Sequence, residues 1–243
     1  MKILSIGNSF SQDSQRYLHK LAKAEGVNIK AVNLYIGGCD LRTHYLNMLG
    51  DKKAYDFEFN GEKTGIKVSI SEALASDDWD YITLQQVSTQ SFKIESFSPY
   101  IEELAKLARK YCPTAKLLIH ETWGYETGSE RIRRLGFNSD AEMLAAVKDA
   151  YADAAKLINA DGIIPSGEAL LLARNLGASK IHRDTTHASL GVGRYILALT
   201  WYKYLTGSDI SANSFHDFDE PVDDCDREIA IKAVNETIKN LKK

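Results

Sequence analysis

The sequence predicts an α/β fold: a three-layer α/β/α sandwich with a central, mostly parallel five-stranded sheet, in a single domain over 1–243 with a β-hairpin inserted near 54–71. Three observations lead there. Short apolar runs alternate with stretches of helical periodicity, the order that gives parallel strands covered by helices on both faces. Four of those runs end in polar or glycine residues (Gly7-Asn8-Ser9, Gly37-Gly38, Gln85-Gln86 and His120-Glu121), as strands do where a ligand-binding rim begins. Finally, 243 residues with 44% hydrophobic and 26% charged content suit one substantial core with little disordered chain.

Taken in order, residues 2–6 (KILSI) form the first strand. Tyr17, Leu18, Leu21 and Ala22 then fall at helical spacing within 13–25, before the natural stop at Gly26. Residues 28–35 (NIKAVNLY) alternate as a second strand. YDFEF and GIKVSIS flank the turn-rich NGEKT, a hairpin expected to decorate the domain rather than to extend its sheet. Tyr81 to Leu84 form the third strand, and Ser98-Pro99 predicts a helix start, serine as the cap and proline at the first helical position, with Cys112-Pro113 as the stop. Residues 116–119 (KLLI) are the fourth strand. Ser139 and Glu142 have the spacing of a capping box for a helix running to about Asn159. Gly162 to Pro165 are the fifth strand, and helices follow over Glu168–Leu176, Ser189–Leu205 and Glu228–Leu241.

Composition removes several classes of function. The net charge of −3, with 30 Lys and Arg against 33 Asp and Glu and no basic block, excludes nucleic acid as an expected partner. Cys39, Cys112 and Cys225 are odd in number and lack CxxC spacing, so neither a disulfide framework nor a zinc site is expected. No run approaches the about 18 apolar residues of a membrane span, and the N-terminus leads straight into a strand, so no membrane insertion is expected and the chain reads as cytoplasmic. A chain from which an export signal had been removed would read the same.

Ser9 directly after a strand most often caps the next helix or closes a turn. It gains chemical meaning from a base, and His187 in RDTTHASLGVGRY is the best candidate, because Asp184 stands three residues ahead. An acid at that spacing can hold the imidazole Nδ1–H, fix the tautomer and leave Nε2 to take a proton from serine. Unaided, a serine hydroxyl is too weak an acid to react at neutral pH.

Together, Gly7-Asn8-Ser9-Phe10, the glycine pair at 37–38, the amide side chains at 85–86 and Asp184-x-x-His187 resemble the four blocks of the SGNH (GDSL) hydrolase superfamily, across nearly the whole chain. The resemblance implies a flavodoxin-like three-layer fold and an ester hydrolase that works through an acyl-enzyme without metal or organic cofactor. It implies Ser9 as nucleophile, His187 as base and Asp184 as its orienter, with the N–H groups of Ser9 and Gly38 in the oxyanion hole. Block one reads GNSF rather than GDSL, and TLQQVS lacks the Gly-x-Asn-Asp of block three. Gln85 is expected to supply the missing amide donor, as in related sialate-esterase-like branches, with Gln86 as second choice. Asn8, Phe10, His120 and Trp123 are expected around the substrate, with Glu121 and Tyr125 as further rim candidates.

The expected activity is carbohydrate O-acetylesterase, on a small-molecule or glycan ester. A lipase or thioesterase of the same superfamily would prefer longer acyl chains. A flavin-binding module would use Ser9, Ser11 and Ser14 as a phosphate cradle, and a silent sugar-binding relative would explain the altered third block. His44 and Tyr45 could reach the same rim, although one histidine near a glycine turn is more often structural. Cys39 reads as packing. The acidic stretch FHDFDEPVDDCD lacks the pattern of an EF-hand and reads as a solvated turn. The sequence leaves the natural substrate and oligomeric state open.

Overall fold

In a computed structural model that describes residues 1–241, one seven-stranded sheet runs through the molecule in the order β4-β3-β2-β1-β5-β6-β7. Its parallel part is the predicted five: β1 (Lys2–Gly7), β2 (Lys30–Tyr35), β5 (Tyr81–Leu84), β6 (Lys116–His120) and β7 (Gly162–Ile164). The central strand β1 is apolar because both its faces are covered; Ile3, Leu4 and Ile6 are all buried. Its one hydroxyl, Ser5 Oγ, is satisfied inside the sheet by Thr83 Oγ1 at 2.6 Å and by Gln15 Nε2 at 2.6 Å.

The hairpin is part of this sheet and not a decoration. Strand β3 (Tyr55–Phe59) pairs antiparallel with β2, and β4 (Glu62–Val68) closes the edge. The turn is the two residues Asn60 and Gly61, with φ of 53° and 83°, the doubly left-handed geometry that favours Asn-Gly in a two-residue hairpin. A Cβ on Gly61 would stand 2.3 Å from the carbonyl oxygen of Arg16, so the hairpin tip is seated directly on the chain just after the first helix.

That helix starts earlier than periodicity suggests. Asn8 caps α1 (Ser9–Gln15) by accepting from Phe10 N at 3.0 Å, and Ser11 Oγ accepts from Asn8 N at 3.1 Å, so helix follows strand with a single residue between. The expected helix over 13–25 is thereby split into α1 and α2 (Leu18–Ala24). Three helices went unpredicted: α3 (Leu41–Leu49), capped by Asp40, α4 (Ile70–Ala75), capped by a Ser69–Glu72 box that ends β4 before Ile70, and the short α6 (Glu130–Arg134), capped by Ser129. Ser98 does not cap the next helix. Pro99, after a cis peptide bond, precedes α5 (Tyr100–Tyr111), and the Ser98 hydroxyl turns to Glu102 instead.

Ser139 caps α7 (Asp140–Ile158) as expected, while the Glu142 carboxylate closes on Asn138 N at 2.8 Å rather than on the cap residue. Helices α8 (Ser166–Asn175), α9 (Val192–Thr206) and α10 (Asp224–Asn240) follow. The last starts ahead of Glu228 because Asp223 caps it, so the acidic stretch is partly helix. On one face of the sheet α3, α4, α5 and α7 pack in succession, and on the other α1, α2, α8 and α10 gather around α9. Helix α9 is almost wholly buried, which explains why it reads as apolar all round. Among the described residues no helix is long and apolar enough to cross a membrane.

Two histidines are sealed in this core. Burial lowers His44 to about 4 and His120 to about 3, so both stay neutral in the fold while the unfolded chain protonates them near the ordinary histidine value. The unfolded state then binds more protons below about pH 6.5, and stability falls on acidification toward the folded values. Each should withdraw about 2 kcal/mol between pH 7 and pH 5. Urea unfolding at the two pH values should show this loss, and His44→Gln should show a smaller one; an equal loss in both proteins would refute the assignment.

Candidate active site

The carboxyl ends of β1, β5 and β6, and the loop after β2, converge on one rim. Ser9 opens α1, so its N–H belongs to the first helical turn, where no intrahelical acceptor exists. Its Oγ lies 2.9 Å from His187 Nε2, and His187 Nδ1 lies 2.8 Å from Asp184 Oδ2. The structure thus brings together the three residues expected to act as a unit, from segments 178 positions apart. Phe10 supports the imidazole, ring centroids 5.7 Å apart.

The loop carrying Asp184 and His187 is a tight hairpin. His182 and Ala188 form an antiparallel bridge, Ser189 N donates to Ile181 O at 2.7 Å, and Arg183 N donates to His187 O at 3.0 Å. At its tip Thr185 adopts φ of 69°, an uncommon conformation for a β-branched residue. Asp184 Oδ1 accepts from His187 N at 2.8 Å, Thr186 Oγ1 at 2.9 Å and Thr186 N at 3.2 Å. Partial burial alone would raise the Asp184 carboxyl, but these bonds and the imidazole pull it well below the usual carboxylate range. Two further bonds fix the tip: Glu126 N to Thr185 O and Trp123 Nε1 to Thr186 O, both 2.8 Å.

Asp13, one turn along α1 from Ser9, is fully buried and gripped by Arg183 and Arg194. Arg183 Nη1 lies 3.0 and 2.9 Å from its two oxygens, and Arg194 Nε lies 2.9 Å from Oδ1. Burial pushes this carboxyl up and the two guanidiniums oppose it. Arg194 and Arg16 continue to Asp219, at 2.6 and 2.7 Å. The helix bearing the serine is therefore tied to the residue next to Asp184. Sequence reading missed this network: Arg183 is visible beside Asp184, but nothing in a single sequence pairs it with position 13.

Gly38, at φ of 63° and exposed, has open space where a Cβ would point. Glycine is needed there for its conformation and not for room. Asn8 Nδ2 donates to Cys39 O at 3.1 Å, which fastens this loop beside Ser9.

The remaining expected site residues lie beneath the rim. Gln85 and Gln86 are 1% and 0% exposed. Gln85 Nε2 donates to Asn8 Oδ1 at 2.8 Å and its Oε1 lies 2.7 Å from His120 Nδ1. Gln86 Nε2 donates to Ser96 O at 2.9 Å while its Oε1 accepts from Leu41 N and Val87 N at 3.0 and 2.8 Å. Both amides are folded into the protein's own hydrogen bonds instead of presenting a donor at Ser9. Asn8, Phe10, His120 and Trp123 are likewise buried. His120 Nε2 meets Ser14 Oγ at 3.1 Å, and Phe10 stacks on Trp123 with centroids 4.1 Å apart, so these residues form a floor and not a solvent-lined wall.

Other expectations resolve similarly. Glu121 is buried against α8, accepting from Glu168 N at 3.1 Å, and burial raises its carboxyl to about 8. Tyr125 bonds Ser88 Oγ at 2.7 Å between two rim loops. Cys39 is buried, which pushes its thiol up to about 12. The phosphate-cradle reading fails on burial: Ser11 Oγ donates to Asn33 Oδ1 at 2.7 Å and Ser14 to the floor, with neither hydroxyl exposed.

The family model described as a domain of unknown function, DUF4886, matches residues 2–237. The crystal structure of a DUF4886 family protein from Bacteroides uniformis is 34% identical, with a TM-score of 0.92 over 100% of this chain and 96% of that one. A candidate SGNH hydrolase from Slackia heliotrinireducens is 22% identical, with a TM-score of 0.62 over 84% and 98%. A family 3 carbohydrate esterase from Talaromyces cellulolyticus is 11% identical, with a TM-score of 0.55 over 85% and 97%. At those identities the last two show a shared fold. No curated protein matches the sequence.

The Asp13 network yields a stability prediction. Removing the carboxylate leaves Arg183 without a counter-charge and the largely buried Arg194 with Asp219 alone, so Asp13→Ala should cost about 3 kcal/mol. Urea unfolding at pH 7 measures it, and a loss below about 1 kcal/mol would mean that the cluster is a surface-like pair.

Proposed function

We propose that this chain, which belongs to the DUF4886 family, is a serine esterase of the SGNH type that removes short acyl groups, acetyl above all, from carbohydrate esters. The observation that carries this reading is the continuous relay from Asp184 through His187 to Ser9, with contacts of 2.8 and 2.9 Å.

In this mechanism Ser9 Oγ attacks the ester carbonyl carbon as His187 Nε2 takes its proton, while Asp184 holds Nδ1–H and stabilises the charge that develops on the ring. The tetrahedral oxyanion is received by the N–H groups of Ser9 and Gly38, held in register by the bond from Asn8 to Cys39 O. His187 Nε2 then returns the proton to the leaving alcohol oxygen. Water, activated by the same nitrogen, opens the acyl-enzyme and frees Ser9. Gln85 contributes by orienting Asn8 rather than by touching the oxyanion. No step calls on a metal or organic cofactor.

The preference for short acyl groups is supported by the packing next to Ser9, where the buried Phe10 and Trp123 rings stack on each other. The carbohydrate preference draws on the fold shared with family 3 carbohydrate esterases.

Hydrolysis of p-nitrophenyl esters from acetyl to octanoyl tests the reading. Acetyl should be turned over fastest, and Ser9→Ala and His187→Ala should each lower kcat by about 10³-fold or more. Activity surviving Ser9→Ala would remove the nucleophile, and an optimum at octanoyl would replace the acetylesterase with a lipase. If the simple esters are inert, labelling of Ser9 by a fluorophosphonate separates a narrow esterase from a silent binding protein.

A further inference from the structure

A short helix, α6 (Glu130–Arg134), stands over the acid–base loop, held down by the buried Ile132 and capped by Ser129. Its first arginine leans onto that loop: Arg131 Nη1 donates to Thr186 Oγ1 at 3.1 Å. The same hydroxyl bonds Asp184 Oδ1 at 2.9 Å and lies 3.2 Å from His187 Nδ1. The Arg131 guanidinium is thus two hydrogen bonds from the imidazole, on an exposed residue, with donors to spare.

What distinguishes it from its neighbours is that it combines a hydrogen bond to this loop with the lack of a counter-charge. Arg134 pairs with Glu130 at 2.5 Å, and Arg133 Nη1 caps Gly128 O at 2.6 Å. Arg183 is spent on Asp13. Asp184, the carboxylate nearest along the bond path, is already filled by His187 and Thr186. Among the described residues, no carboxylate lies within ion-pair distance of Arg131.

The position also says which half of a substrate it would meet. The acyl group of a bound ester lies toward the oxyanion donors, Ser9 and Gly38. The alcohol half must lie beside His187, because Nε2 has to reach its departing oxygen. A cation held by Thr186 on the Nδ1 side of His187 is therefore in line for the part of the alcohol half that extends past the imidazole, away from the oxyanion donors.

We propose that Arg131 is a specificity residue that binds an anionic group on the alcohol portion of the substrate, so that the preferred ester is an acylated alcohol bearing a carboxylate, such as an acidic sugar. This rests on the esterase reading above. Arg suits the task because its planar fork grips a carboxylate through two parallel bonds, and the bond to Thr186 holds it ready. Since the anion is bound in ground state and transition state alike, its effect belongs in KM.

Two acetyl esters of matched shape test this: 4-acetoxybenzoate, with a carboxylate on the leaving group, and the neutral 4-acetoxybenzamide. The wild-type enzyme should show a KM about fivefold lower for the carboxylate, an advantage that shrinks in high salt. Arg131→Gln should bring the two esters level, and R131K should restore part of the difference. A phosphate-bearing analogue, 4-acetoxyphenyl phosphate, asks which anion fits: a larger advantage for phosphate would overturn the carboxylate assignment. Equal handling of both acetyl esters by the wild type, or an Arg131→Gln variant that slows both by the same factor, would overturn the proposal and leave Arg131 as a support for Thr186. Binding of the two esters to Ser9→Ala, measured by calorimetry, keeps the questions separate. A carboxylate preference there without wild-type turnover would sink the esterase and keep the anion site, while turnover without preference would do the reverse.

Discussion

The arrangement depends on one buried carboxylate. Asp13 sits in α1 one turn from Ser9, and the two guanidiniums that hold it come from Arg183, next to Asp184, and Arg194, inside α9. Ser9 and His187, separated by 178 positions, have no local reason to stay within hydrogen-bond distance. An ion cluster in the low-dielectric interior supplies it, because separating such charges without water is far costlier than at the surface. Its net worth to stability against an apolar replacement is a different matter, and such clusters often contribute little there. What the cluster does here is geometric: it sets the distance between two elements that the sheet alone would leave free to slide.

A second set of bonds works across the floor. Asn8, Gln85, His120 and Ser14 form a chain in which each side chain fixes the next: the Gln85 amide donates to Asn8, accepts from His120 Nδ1, and so leaves Nε2 of that histidine to receive the Ser14 hydroxyl. The protonation state follows from burial, which keeps His120 neutral. Each link spans a different element, the residues after β1 and β5, the end of β6, and α1, so the chain levels the strand ends that carry the rim. This also accounts for glutamine after β5. An asparagine there would be one methylene short of a bridge between Asn8 and His120, and the longer side chain folds inward to make it.

The parallel core was legible because its causes are local. Each of β1, β2, β5, β6 and β7 is a short apolar run bounded by turn chemistry, and the alternation with helices dictates their parallel pairing. The hairpin was legible as a hairpin, from Asn60-Gly61, but its place on the sheet was not: β3 joins β2 through buried partners such as Asn33 and Glu58, bonded at 2.8 Å, and polar pairs of this kind look like surface residues in sequence. The residues of the relay were legible through spacing and resemblance. Gln85, Gln86, His120 and Trp123 were identified as near the site but assigned to the wrong side of its surface, because pattern reading tells which residues stand at a strand's end and not whether their side chains turn up to solvent or down to the floor. Asp13, Thr186 and Arg131 carried no signal at all, since their partners lie far away in the chain or are made by a loop whose shape the sequence does not reveal.

That loop explains why Asp184 and His187 stand three residues apart. For Asp184 to reach His187 Nδ1 with one oxygen while its other oxygen receives the main-chain N–H groups of Thr186 and His187, the chain must curl back within two residues. The curl forces Thr185 into the left-handed region, where a β-branched residue is held at a cost of about 1–3 kcal/mol. Glycine would adopt the shape more easily but would also let it go. The strain is sustained by bonds from outside the turn: Glu126 N on Thr185 O, Trp123 Nε1 on Thr186 O, and the Arg183 guanidinium on both Asp13 and Ala188 O. Several independent anchors acting on five residues leave one shape available. The imidazole is thus held with Nδ1 on Asp184 and Nε2 on Ser9, and the proton transfer proposed for Ser9 would start from a geometry already in place.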